Sequence, residues 1–159
     1  MELGLKGRKA IVSAASKGLG KACAFSLARE GVDVTIMART QSDLESTAHE
    51  IQSETGVTVT PVAGDFNVAE DRARLLGACP EPDILVNNPG VRQTPTPYAD
   101  IDEAEWQRWF NDHFFSSISL IQKAAPGMCD RGYGRIVNLS VSFIKFPQVG
   151  FAHTHAARL

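Results

Sequence analysis

Short runs of aliphatic and β-branched residues alternate along the chain with segments whose apolar residues recur every three or four positions. The runs predict strands and the segments helices, an order that gives βαβ units and a parallel sheet. A strand over 10–13 leads into SAASKGLG (13–20), then a helix with Leu19, Ala22, Cys23, Ser26 and Leu27 on one face, closed by Gly31. A second strand spans 34–38. Ser42 with Glu45 three residues on predicts a capping box, opening a helix with Leu44, Thr47, Ala48 and Ile51 on its buried face and Gly56 at its end. The third strand, 57–62, contains Pro61, which lacks an amide hydrogen and suits a sheet edge. After AGDFN (63–67) come a helix to about residue 76, a strand over 84–87 ending in NNPG, and a long helix over 102–128. The apolar set of that helix, which includes Trp106, Trp109, Phe114, Phe115 and Leu120, is wider than one core-facing stripe, so part of it is expected to meet another subunit. A fifth strand spans 135–140, and the tail, 141–159, reads as apolar and loop-like.

Composition narrows the class. The 159 residues fit one domain, and 43% hydrophobic with 21% charged residues exclude a disordered chain. No run reaches the roughly 18 apolar residues of a membrane span, and the start, from Met1 to Arg8, is too polar for a signal peptide. Sixteen basic against eighteen acidic residues predict no general affinity for nucleic acid, so any anion site must be local. Cys23, Cys79 and Cys129 are odd in number, widely spaced and without metal-ligand spacing, which points to free thiols in a reducing cytoplasm and to no metal site.

A strand, a glycine-rich turn and a helix form a device for holding phosphate: the glycines let the backbone approach closely, and the helix N-terminus offers unpaired amides and partial positive charge. With that loop in place the chain resembles the short-chain dehydrogenase/reductase family, which binds NAD(P) through a TGxxxGxG loop after the first strand. The resemblance continues in order through Ala38-Arg39, Asp65, Asn87-Asn88-Pro89-Gly90 (NNAG in the family) and GRIVNLS over 134–140, and covers essentially the whole chain. It implies a Rossmann-type, doubly wound α/β fold of three αβα layers, about five strands in the order 3-2-1-4-5, with ligands at the strands' C-terminal ends. By the same resemblance Ser13, Ala15, Ser16, Lys17, Gly18, Leu19 and Gly20 form the cofactor loop, with Arg39 and Thr40 following strand two. Asp65 and Phe66 border the adenine, and Asn87, Asn88, Pro89 and Gly90 lead toward the nicotinamide ribose. No acidic residue ends strand two to accept ribose hydroxyls; Lys17 and Arg39 suit a 2′-phosphate, so NADP(H) is expected over NAD(H). The family's first loop glycine is Ala14 here, and a left-handed backbone at that position would cost about 1–2 kcal/mol.

The catalytic positions depart from the family. Its Asn falls at His113, with Asn111 two residues earlier; its Ser falls at Val141, between Ser140 and Ser142; its Tyr falls at Thr154 and its Lys at Arg158. His113 could relay protons or be a packing residue. The serines flanking Val141 would face the other side of a regular strand. An aliphatic hydroxyl is a far poorer acid than a phenol with its pKa of about 10, and arginine stays protonated. His153 and His155 could supply an acid or a metal ligand, but solvated loop histidines are the plainer expectation. Members of the family run to roughly 250 residues, so the chain reads as part of a longer reductase-like protein, with its fifth strand an exposed edge. Two expectations remain: an NADP(H)-dependent oxidoreductase acting on a small carbonyl or alcohol, as a homo-oligomer through the aromatic helix, or a dinucleotide sensor or interaction protein without catalysis.

Overall fold

The computed structural model describes residues 3–90 and 94–158. Met1, in the polar start, and Leu159, in the tail, lie outside the described residues. Five strands form one parallel sheet in the order β3-β2-β1-β4-β5: β1 Lys9–Val12, β2 Asp33–Ala38, β3 Val59–Ala63, β4 Ile84–Asn87 and β5 Arg135–Asn138. The helices are α1 Gly18–Arg29, α2 Gln41–Thr55, α3 Ala69–Ala78, α4 Glu103–Phe110, α5 Ser116–Asp130 and α6 Ala152–Ala156.

Strand alternation divides the core. Ala10, Val12, Val34, Ile36, Ile84 and Val86 pack with Ala24, Ala28, Leu44, Ala48 and Ile51 of α1 and α2 on one face of the sheet. On the other, Ile11, Met37 and Leu85 pack with Leu75 of α3 and Leu120, Ala124 and Met128 of α5. A sheet buried on both faces reads as continuous apolar runs, which is why β1, β2 and β4 were legible. The α2 face is Leu44, Thr47, Ala48 and Ile51 as expected, and the helix is closed by left-handed Gly56. Pro61 lies on β3, an edge strand.

Several expectations need correction. In α1 the buried residues are Gly20, Ala24 and Ala28, and Leu19 is exposed; Gly20 sits so close to the backbone of Ala14 and Ala15 that a Cβ there would lie 2.2 Å from Ala14 O. The Ser42–Glu45 capping box does not form. Thr40 is the N-cap, the helix starts at Gln41, and Gln41 Nε2 donates to Glu45 Oε1 at 2.7 Å. The long helix is capped by Asp102, whose side chain accepts from Glu105 N, and a π turn at Asn111–Phe115 interrupts it between α4 and α5. β5 ends at Asn138, so Ser140 and Ser142 lie beyond the strand and its alternation does not govern them. The tail is not a loop throughout: it contains a 3-10 turn, Ser142–Ile144, and α6, which packs on α4. Among the described residues no helix is long and apolar enough to cross a membrane.

Candidate cofactor cleft and adjoining cavity

The strand order reverses between β1 and β4, and in such sheets the crevice past the strands' C-terminal ends is where ligands enter. Ser13 joins the two strands there. Its hydroxyl accepts from Asn88 N at 2.7 Å and donates to Asn88 O at 2.9 Å, and Ser13 N donates to Val86 O at 3.1 Å. Beside this clamp lies a cleft of about 420 Å³ lined by residues of four loops. Ser16, Lys17 and Leu19 come from the first, Arg39 and Thr40 from the second, Asp65 and Phe66 from the third, and Asn88, Pro89 and Gly90 from the fourth. Ser13, Ala15, Gly20 and Asn87 are buried beneath it. Gly18, with φ of +59°, stands at the exposed start of α1, and a Cβ there would meet nothing within 4 Å.

The chemistry of this cradle suits a dinucleotide phosphate. No side chain caps α1 and no acidic residue occupies its first turn, so its leading amides lack partners and the dipole's positive end is uncompensated. Ala14 has φ of +47°, the left-handed backbone that the family's glycine would adopt freely. Arg39 is exposed and makes no hydrogen bond or ion pair among the described residues. Lys17 is different: its Nζ sits 3.1 Å from Asp43 Oδ2, so the second expected cation is already paired.

Other lining and supporting residues lie outside the motifs that carry the resemblance. Met37, Gly64 and Asn67 complete the cleft wall. Asp65 Oδ1 accepts from Asn67 N at 2.9 Å, shaping the turn. Under it, buried Arg72 donates to Phe66 O at 2.7 Å and to Ser116 Oγ at 3.1 Å, tying the Phe66 loop to α5. An arginine inside an amphipathic helix reads as a solvated charge, so nothing in the sequence pointed to this one.

A second cavity, about 180 Å³, adjoins the cleft at Pro89, which lines both. Its polar lining is Asn87, His113, Ser117, Asn138, Ser140 and Arg158. Asn87 Nδ2 donates to Asn138 Oδ1 at 2.8 Å. His113, on the π turn, is buried and stacks on Trp109 at 4.9 Å between centroids. Arg158 Nη2 lies 3.4 Å from His113 Nε2. A guanidinium only donates, so Nε2 accepts and the ring hydrogen is on Nδ1, which is buried without a partner. Burial, reinforced by Arg158 and Arg108, pushes the His113 pKa down to about 3. The imidazole is therefore neutral near pH 7.

The structure thus brings together three of the five residues considered for catalysis, His113, Ser140 and Arg158. Ser142 is exposed and Thr154 fully buried, and neither lines this cavity. His153 and His155 are not solvated loop residues. His153 is fully buried against Trp106 and Trp109, at centroid distances of 6.2 and 4.8 Å, and His155 is buried beside it on α6. The reason is local: α6 turns its apolar and imidazole face onto α4, where two tryptophans provide the surface.

Comparison with known proteins agrees with this geometry. The chain is 34% identical over 159 residues to the uncharacterized oxidoreductase YvaG of Bacillus subtilis, covering 99% of this chain and 60% of that protein. It is 34% identical over 141 residues to human L-xylulose reductase, covering 88% and 55%. The crystal structure of L-sorbose reductase from Gluconobacter frateurii, complexed with NADPH and L-sorbose, superposes with a TM-score of 0.93 at 25% identity, over 99% of this chain and 61% of that one. The chain therefore spans less than two thirds of these proteins. The sequence profile of the short chain dehydrogenases matches residues 8–157, and the chain belongs to that family of oxidoreductases.

Proposed function

We propose that the chain forms the dinucleotide-binding unit of an NADP(H)-dependent oxidoreductase acting on a small carbonyl or alcohol. The observation that carries this reading is the composition of the larger cleft. A helix start without cap or acid faces the phosphate position, and Arg39, unpaired and exposed, follows β2 where no carboxylate stands. Ser16, Gly18, Leu19 and Gly20 would hold the pyrophosphate with main-chain amides, Arg39 and Thr40 the 2′-phosphate, and Asp65 and Phe66 the adenine. When bound, NADPH supplies a hydride to the carbonyl carbon while the oxygen takes a proton, giving the alcohol and NADP⁺. His113 and Arg158 stand in the adjoining cavity where the reacting group would lie. A neutral imidazole there does not deliver its proton as imidazolium. That NADPH occupies the similar L-sorbose reductase supports the cofactor assignment.

The test is titration with NADPH and NADH. Arg39→Ala weakens NADPH binding about tenfold or more and leaves NADH binding nearly unchanged. Equal losses for both sink the 2′-phosphate role. A cytoplasmic setting and homo-oligomerisation through the aromatic helix belong to the same reading.

One observation favours a second reading, a dinucleotide-binding sensor without turnover. Thr154 replaces the family tyrosine, is fully buried, and its hydroxyl has no partner among the described residues. Tight NADPH binding with no oxidation across a panel of ketones and aldehydes would select this reading.

A further inference from the structure

Arg158 is unusual among the cations of this chain. Its side chain is half-buried and, among the described residues, its Nε has no partner and its one side-chain hydrogen bond is to His113 Nε2. Among the described residues no aspartate or glutamate lines the cavity it enters. Burial alone lowers its pKa, with no acid contributing. Withdrawing a cation from water without a counter-charge is costly, and an anion brought in from outside offsets that cost. Guanidinium geometry matches a carboxylate, which can accept two parallel N–H bonds.

The remaining polar groups narrow the ligand. Because His113 Nε2 accepts from Arg158, its ring hydrogen is on Nδ1, which burial closes off from the cavity, so Arg158 is the charged donor in the lining. The other polar lining, Asn87, Ser117, Asn138 and Ser140, is uncharged. A volume of about 180 Å³ leaves room for roughly six water-sized groups, so the ligand is small. Contact with the larger cleft through Pro89 puts it beside the proposed cofactor. We propose that this cavity binds a small carboxylate through Arg158, so that the substrate of the site is an oxo acid or the corresponding hydroxy acid. This rests on the hydride-transfer reading and names the substrate class within it.

The probes are pyruvate and pyruvamide, its uncharged isostere, titrated into the full chain with and without NADP⁺. Binding is followed by calorimetry and by fluorescence of Trp109, which stacks on His113. Pyruvate is expected to bind at least about tenfold more tightly than pyruvamide. Arg158→Met erases the difference, and Arg158→Lys keeps part of it. Equal binding of the two probes, or no pyruvate binding, overturns the proposal, and so does displacement of pyruvate by chloride or inorganic phosphate at equal concentration, which marks an adventitious ion only. The isostere comparison uses the unaltered chain, so it decides even where Arg158→Met fails to fold. NADPH titration of the same sample separates the two readings: intact NADPH binding with no pyruvate selectivity rejects the carboxylate site and leaves the cofactor assignment standing.

Discussion

At the scale of single residues, Ala14 and Gly90 form a coupled pair. Ala14 holds a φ of +47°, a region where a Cβ is disfavoured by roughly 1–2 kcal/mol. A Cβ built on Gly90, itself at φ of +69°, would lie 2.5 Å from the Ala14 Cβ. The methyl of Ala14 thus fills space that the glycine leaves open. Ala14→Gly is expected to stabilise the fold by about 0.5–1 kcal/mol in urea unfolding, the relieved strain less the added freedom of the unfolded chain. Gly90→Ala destabilises, and does so less in the Ala14→Gly background; additive effects in the double-mutant cycle reject the coupling. The sequence showed an alanine where the family has glycine, but Gly90 as its steric partner follows only from β1 and β4 being neighbours. The same holds for Lys17. Its charge was legible, whereas its pairing with Asp43 goes with an α2 that starts two residues earlier than the apparent capping box.

At the scale of elements, the junction of α4, the π turn and α6 makes the fold sensitive to acid. His113 and His153 pack on Trp109, and burial lowers both pKa values, for His153 against Glu105, which raises it, and with Arg108 and His155, which lower it. The unfolded chain takes up a proton on each imidazole near its ordinary pKa of about 6.5, while the native state excludes it. Stability is therefore full above pH 6.5 and falls as the pH drops toward 3. With the folded pKa of His113 at about 3, that residue alone removes about 2 kcal/mol between pH 7 and 5. His113→Asn should reduce the pH dependence of the unfolding free energy by close to one proton in that window; an unchanged slope refutes the assignment. Asp112, whose carboxyl pKa burial raises, acts in the opposite sense, so the comparison with His113→Asn isolates the imidazole. The α2 face and the β4 bounds were legible because periodicity reports a continuous buried surface. The π turn was not, because one inserted residue leaves apolar spacing almost unchanged while rotating everything after it. α6 escaped for a related reason: its buried residues are His153, Thr154 and His155, types whose polarity reads as exposure, although two tryptophans pack on His153.

For the molecule as a whole, motif order gave the sheet topology, since each phosphate-loop or strand-end motif sits at a crossover of a right-handed βαβ unit. Motif order does not say which surfaces meet other subunits. Among the exposed apolar residues, two pairs lie on regular elements: Phe114 and Phe115 at the end of the π turn, 44% and 57% accessible, and Ile136 and Val137 on edge strand β5, 38% and 45% accessible. β5 has four residues and opens with an exposed arginine, and short edges with a charge are poor templates for pairing. The two phenylalanines offer more area, and burying one aromatic side chain contributes about 1.5–3 kcal/mol. Self-association is therefore expected through the helix surface. Phe115→Glu removes that burial and adds a charge, so in sedimentation velocity it should shift the chain toward monomer, with an association constant at least about tenfold weaker and an unchanged far-UV spectrum. Phe115 is the better probe than Phe114, which also lines the second cavity. Val137→Lys, placed on the sheet edge, should leave the association untouched. Dissociation by Val137→Lys with no effect of Phe115→Glu would move the interface to β5.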